Sequence, residues 1–189
     1  MTDILDKSRP TGLLRTLRWL AAASLLYAAM ATGADEAQVS EYRVKTAFLY
    51  NFSRFVSWPA TAMQERNDFS VCVIGSDPFG EQLDKLTGKI VHSRTLVITR
   101  LDSIARLYSC HLLYISDDAD LEKVLSVVRQ QPVLTVSDMK NFTEQGGIIQ
   151  FQLLQNKVRF RINAGAASSA GLTISSKLLS LALDVSGRQ

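Results

Sequence analysis

The chain has 189 residues, 47% of them hydrophobic and 21% charged, with a formal net charge of +3. Lys7, Arg9, Arg15 and Arg18 fall within the first 34 positions, and residues 35–189 carry 17 basic against 16 acidic side chains. That near-neutral balance gives no reason to infer a polyanionic partner, nucleic acid included, and two cysteines allow at most one internal disulfide, which a core of this size does not need in order to fold.

In chain order, the positive leader is followed by an uncharged apolar run, Trp19 to Met30, and by the small residues Ala29, Ala31, Gly33 and Ala34 ahead of Asp35 and Glu36. This is the pattern of a secretory signal peptide over 1–34, leaving 35–189 as one mature domain in the periplasm. The run is shorter than the roughly 20 residues a spanning helix needs. No Arg-Arg pair marks a twin-arginine signal, and no cysteine follows the run until Cys72, which speaks against a lipid anchor.

From Glu41 to Trp58 the apolar residues Val44, Ala47, Phe48, Phe52, Phe55 and Val56 recur at helical steps, with Arg43, Lys45, Ser53 and Ser57 off that face. An amphipathic helix stopped by Pro59 is expected. Asp68 to Gly75 reads as a strand, and Asp77 and Pro78 read as the cap and first position of a helix that continues through Leu83 and Leu86. Next come a strand over Thr95–Thr99, a short helix over Leu101–Tyr108 and a strand over His111–Ser116. Asp118 or Asp120 caps a further helix with Leu121, Val124, Leu125 and Val128 on one face, and Pro132–Val136 is a fourth strand. Alternating strands and helices imply crossovers and a mainly parallel sheet.

The ending reads differently. Ile148–Leu154 and Val158–Asn163 are separated only by Gln155, Asn156 and Lys157, too few residues for a crossover, so an antiparallel hairpin is expected. It puts Ile149, Phe151, Leu153, Val158, Phe160 and Ile162 on one face and Gln150, Gln152, Arg159 and Arg161 on the other. Residues 172–185 read as a closing helix, more apolar than one buried face requires. The fold class expected is α/β: a mainly parallel sheet flanked by helices, with a C-terminal antiparallel hairpin and a closing helix.

Few residues carry chemistry. Cys72 and Cys110 sit in or beside strands and are a disulfide candidate if those strands are neighbours; two separate buried thiols are the alternative. Cys110 and His111 are adjacent on a strand and point to opposite faces, so with His92 isolated no metal site is expected. The stretch Gly75, Ser76, Asp77 lies at the carboxyl end of a strand, where open α/β sheets hold ligands, but it has neither a P-loop ending nor a dinucleotide spacing. Ser168 and Ser169 do not form a nucleophile elbow, and no Ser/His/Asp set or carboxylate pair emerges, so no catalytic residues, cofactor or enzyme activity are expected. Arg159 and Arg161 with Gln150 and Gln152 form a polar stripe suited to an acidic partner, and the apolar excess of the last segment suggests a contact surface.

The stretches VKTAFLYNFSRFVSWP (44–59), VCVIGSDPFG (71–80), CHLLYIS (110–116) and KVRFRINAGAASSAGLTISSKLLSLA (157–182) resemble the YfiR family of periplasmic regulators. The resemblance implies a repressor that binds the periplasmic sensory region of an inner-membrane diguanylate cyclase of the YfiN kind, lowering cyclic di-GMP and biofilm formation. It also implies sequestration by an outer-membrane lipoprotein of the YfiB kind, and redox influence through cysteines, with Cys72 and Cys110 matching one family pair. A second family pair falls on Gln145 and Gln152, so that bridge cannot form here. Partner contacts are expected at Arg159, Arg161, Lys177 and Leu179, and a homodimer through the last helix. The alternatives are a small-molecule binding module at Gly75–Gly80 and a thiol-dependent enzyme using Cys72 or Cys110.

Overall fold

The computed structural model describes residues 38–64 and 66–187. The expected leader, 1–34, lies outside the described residues.

The first helix, α1, runs over residues 38–55; Phe48, Phe52 and Phe55 of the expected face meet the core, but the inward face is rotated away from Val44 and Ala47. Lys45, Thr46, Leu49, Phe52 and Ser53 are buried, whereas Val44 and Ala47 are exposed. An apolar pattern assigns lysine to solvent, but a lysine between two carboxylates can be buried. Lys45 has both, in Glu41 and Asp138. Ser53 is satisfied in burial by donating its hydroxyl to the Leu49 carbonyl at 2.9 Å. The helix also ends earlier than Trp58. Val56–Ser57 leave it as β1, paired antiparallel with β9 (Thr173–Ile174). A short helix, α2 (Ala60–Gln64), comes next.

The main sheet has eight strands, and parallel pairing dominates its centre. In chain order they are β2 (Asp68–Ile74), β3 (Ile90–Val91), β4 (Arg94–Leu101), β5 (Leu112–Ile115), β6 (Leu134–Ser137), β7 (Ile149–Leu154), β8 (Lys157–Asn163) and β10 (Asp184–Ser186). Across the sheet the order is β10-β8-β7-β6-β5-β2-β4-β3. Strand β3, which the sequence pattern does not predict, pairs with β4 through a two-residue turn in which His92 and Ser93 take φ of 47° and 64°.

Side chains alternate strictly between two cores, as a strand buried on both faces requires. Phe69, Val71 and Val73 of β2 with Leu112 and Tyr114 of β5 meet Leu49 and Phe52 of α1 and Leu83 of α3 (Glu81–Asp84). Cys72, Ile74, Leu113 and Ile115 face the other way, toward Val124, Leu125 and Val128 of α4 (Leu121–Val128) and Leu107 of a 3-10 helix (Ile104–Ser109). That 3-10 turn stands where a short helix was expected over Leu101–Tyr108. Of the two candidate caps of α4, Asp120 takes the role and accepts from the Lys123 amide at 3.1 Å. Asp77 and Pro78 do not begin a helix: α3 starts at Glu81, and Asp77 accepts from the Phe79 amide in a local turn instead.

The hairpin of β7 and β8 has the expected face pairing, with Ile149 opposite Ile162 and Phe151 opposite Phe160. Its turn is shorter than expected, because Lys157 joins β8 and leaves only Gln155 and Asn156 in the loop. Nor is it the sheet edge. The closing helix expected over 172–185 is three pieces: β9, a single turn α6 (Ser176–Leu179), and β10, which runs parallel to β8. The preceding helix α5 (Ala164–Ser169) stops at Gly171, φ +70°, whose amide bonds to the Ser168 carbonyl while the Leu172 amide bonds to Ala167. Ser175 then caps α6, and the Leu183 amide bonds to the Phe160 carbonyl, pulling the tail onto the open side of β8. An unpaired strand edge outcompetes continuation of a leucine-rich helix. The dimer expected through that helix therefore has no continuous helix to form on.

Candidate functional site

Cys72 and Cys110 form a disulfide with Cα atoms 5.8 Å apart. The sequence left the bond open; the sheet decides it, because β2 and β5 are neighbours and Cys110 leads directly into β5. Both cysteines are buried, and because they are bonded to each other no free thiol exists among the described residues.

His111, next to Cys110, is buried at the amino end of β5. Its Nδ1 accepts from the Ser70 amide at 3.0 Å, its ring stacks on Phe69 at 4.7 Å between centroids, and its carbonyl accepts from Trp58 Nε1 at 3.2 Å. Burial, together with the nearby charge of Arg66, pushes its pKa down to about 4. A cavity of about 280 Å³ lies beside it, lined by Thr61, Arg66, Tyr108 and Cys110 among others. His92, the second histidine, places Nε2 2.9 Å from the Ser53 carbonyl and 3.0 Å from that of Val56. Both histidines are engaged by backbone groups.

The loop Gly75–Ser76–Asp77 sits at the carboxyl ends of β2 and β5 as expected, and its groups are spent inside the protein. The Ser76 amide donates to both oxygens of Asp118, at 2.9 and 3.1 Å, and the Ser76 hydroxyl lies 2.9 Å from that of Ser116. The Ser76 amide holds the Asp118 carboxyl below its ordinary range. Gly75 takes φ +86°, and a Cβ there would fall 2.4 Å from Asp118 Oδ1. Asp77 Oδ2 accepts from Arg100 Nε at 2.7 Å. An incoming anion meets a carboxylate already seated on the loop amide.

The expected partner-contact residues divide between the two sides of the sheet. Arg159 and Arg161 lie on the face of β8 opposite Val158, Phe160 and Ile162; Arg159 is exposed, and Arg161 has a buried Nε with no hydrogen-bond partner among the described residues. Lys177 and Leu179 belong to α6, where the Lys177 ammonium lies 5.2 Å from the Phe55 ring and Leu179 packs against the α1 core. The polar stripe is partly covered as well, because Gln150 is buried and faces Thr143, whose amide and hydroxyl lie 3.5 and 3.4 Å from its Oε1. Gln145 donates its Nε2 to the Lys140 and Asn141 carbonyls.

Sequence reasoning passed over a charge cluster built around the buried Lys45. Asp138 follows β6; its Oδ2 accepts from Lys45 Nζ at 2.9 Å and from Tyr114 Oη at 2.6 Å, and Lys45 also pairs with Glu41. Burial alone would lower the Lys45 ammonium, but the charge of Asp138 and the bonds to Glu41 and Asp138 outweigh it and raise its pKa. Burial, then the Asp138 charge, pushes the Tyr114 phenol far up, so it stays a neutral donor. Lys45 and Asp138 are 93 residues apart, and no local pattern connects them.

These features define a three-layer α/β domain with an internal disulfide and with its best-formed polar groups engaged by one another. The chain belongs to the YfiR/HmsC-like family, whose model matches residues 42–183. None of the curated proteins compared with it matches the chain. Among solved structures it is similar to a conserved domain protein from Vibrio cholerae O1 biovar El Tor, with 16% identity, 63% of this chain and 55% of that one covered, and a TM-score of 0.47. It is also similar to an ABC domain in complex with L-Trp from Streptococcus pneumoniae, with 13% identity, the same coverage and a TM-score of 0.40. The chain thus spans little more than half the length of either structure.

Proposed function

We propose that this chain is a periplasmic, non-catalytic regulator that represses an inner-membrane diguanylate cyclase by binding its periplasmic sensory region, lowering cyclic di-GMP and biofilm formation. The observation that carries the reading is the family match over residues 42–183. The leader-like first 34 residues support export, and a disulfide is stable in an oxidising compartment. No helix among the described residues is long and apolar enough to cross a membrane. Domain boundaries at 1–34 and 35–189 belong to the same proposal.

Repression works by occupancy. The bound regulator favours the inactive cyclase only as far as it binds that state more tightly, and a hundredfold preference corresponds to about 2.7 kcal/mol. Arg159 and Arg161 on one side of the β8–β10 edge, and Lys177 and Leu179 on the other, are the proposed contacts. An outer-membrane lipoprotein that sequesters the regulator would compete for the same surfaces. Thiol chemistry is disfavoured as an alternative by the Cys72–Cys110 bond, and a ligand at the Gly75 loop by Asp118.

The test is affinity capture of the full chain, tagged at its C-terminus, from cross-linked membranes of its own host. Recovery of a diguanylate cyclase, lost with Arg159→Glu, together with raised cyclic di-GMP on deletion, is the expected result. Capture of no signalling protein and an unchanged cyclic di-GMP level would remove the proposal.

A further inference from the structure

We infer that the tip of the β7–β8 hairpin is a membrane-docking element that seats on an anionic phospholipid surface. The inference goes beyond the repressor reading and does not depend on it. The near-neutral balance of the chain hides an uneven distribution: no Asp or Glu occurs between Glu144 and Asp184, a stretch that holds Lys157, Arg159, Arg161 and Lys177. The hairpin lies inside that stretch. Its outer half has no strand beside it on either edge, because β6 pairs with β7 only as far as Gln150 and β10 pairs with β8 only from Arg161. From Leu153 to Lys157 every residue is exposed, and so is Arg159. The ribbon outruns the sheet and carries these residues at its end.

An apolar tip is collared there by cations. Leu153 and Leu154 are 51% and 47% exposed. Lys157 lies directly across from Leu154, and Arg159 lies across from Gln152 on the same face, about 7 Å further from the turn. Neither cation forms an ion pair among the described residues. Neighbouring elements leave them uncompensated: the cleft beside Leu153 and Leu154 holds Glu41 and Asp138 but also Lys45 and Lys140, and Asp184 of β10 stands across from Arg161. Exposed leucine combined with positive charge fits a surface that is anionic outside and apolar beneath. The two leucines favour lipid over an acidic protein. Consecutive strand residues point to opposite faces, and a bilayer accepts apolar side chains on both faces at once while long Lys and Arg stems leave their charges at headgroup level.

The full chain carrying Gln155→Cys tests this, because the new thiol is the only one outside the Cys72–Cys110 bond and takes an environment-sensitive dye at the turn itself. The dye reads the tip directly, whatever the leader-like segment does. Vesicles of phosphatidylglycerol and phosphatidylcholine in equal parts are expected to brighten and blue-shift it, half-saturating on the order of 1 mM lipid, with pure phosphatidylcholine about tenfold weaker. In the labelled chain, Leu153→Ser combined with Leu154→Ser is expected to weaken binding about tenfold, and Lys157→Glu by a similar factor. Should the leucine variant fail to fold, the exposed Lys157 variant decides. No dye response up to about 10 mM lipid, an equal response to pure phosphatidylcholine, or unchanged binding in the folded leucine variant or in Lys157→Glu would each overturn the assignment. A response to polyglutamate in place of the vesicles would overturn it too, and would give the tip to an acidic protein.

Discussion

His111 illustrates how a residue that sequence reading sets aside can govern behaviour in solution. A lone histidine beside a cysteine suggests metal chemistry, yet here the imidazole serves as an acceptor for the Ser70 amide, packed on Phe69. That role requires the neutral ring. Its folded pKa lies near 4, below the ordinary 6.5, so the unfolded chain takes up the proton first as pH falls. The stability from this site is fully present above about pH 6.5 and is lost progressively down to about pH 4, on the order of 3 kcal/mol in total. Urea midpoints at pH 7.5, 5.5 and 4.5 should fall in that order, and His111→Gln should flatten the slope by up to about 1.4 kcal/mol per pH unit. An unchanged slope in the variant would assign the acid sensitivity to other groups. Lys45 was illegible for a related reason: its burial is permitted by Asp138, brought across the fold by β6.

At the scale of elements, the strands of the centre were legible because strongly apolar runs bounded by turn residues have few other solutions. The hairpin was legible in its pairing but not in its turn. Gln155 and Asn156 both take positive φ, 49° and 58°, the conformation of a two-residue type I′ turn. Neither residue is glycine, and Asn tolerates this region better than Gln. Asn156→Gly is accordingly expected to stabilise the protein by about 0.5–1 kcal/mol, read as a raised denaturant midpoint with unchanged slope. The closing segment misled the periodic reading. Leucines at helical spacing over 172–185 are compatible with a helix, but Thr173, Ile174 and Val185 at its ends suit strands, and two partners, β1 and β8, were waiting for them. Periodicity reports what a segment can bury, and the open edge decides what it pairs with.

For the molecule as a whole, the disulfide is the largest single constraint, closing a loop of 38 residues between adjacent central strands. In the chain-entropy account a loop of that length is worth up to about 4 kcal/mol, and replacing Cys72 and Cys110 together with Ser is expected to cost about 2–4 kcal/mol. Guanidinium unfolding checks it: the wild-type chain under reductant should converge on the midpoint of the double variant. If reductant leaves the midpoint unmoved, the bond adds nothing to stability. With two cores on the faces of one sheet, the double variant is still expected to fold.

The sequence by itself determined the alternation of strands and helices, the hairpin faces and the family resemblance, because these rest on local periodicity, turn chemistry and contiguous motifs. Tertiary structure alone decided the inward face of α1, the pairing of Cys72 with Cys110, the splitting of the last segment, and the union of Lys45, Tyr114 and Asp138. The physical reason is common to all four: each depends on which groups distant in the chain become neighbours. Burial of a charge, closure of a bond and capture of a strand edge acquire their energy only once that neighbour is in place.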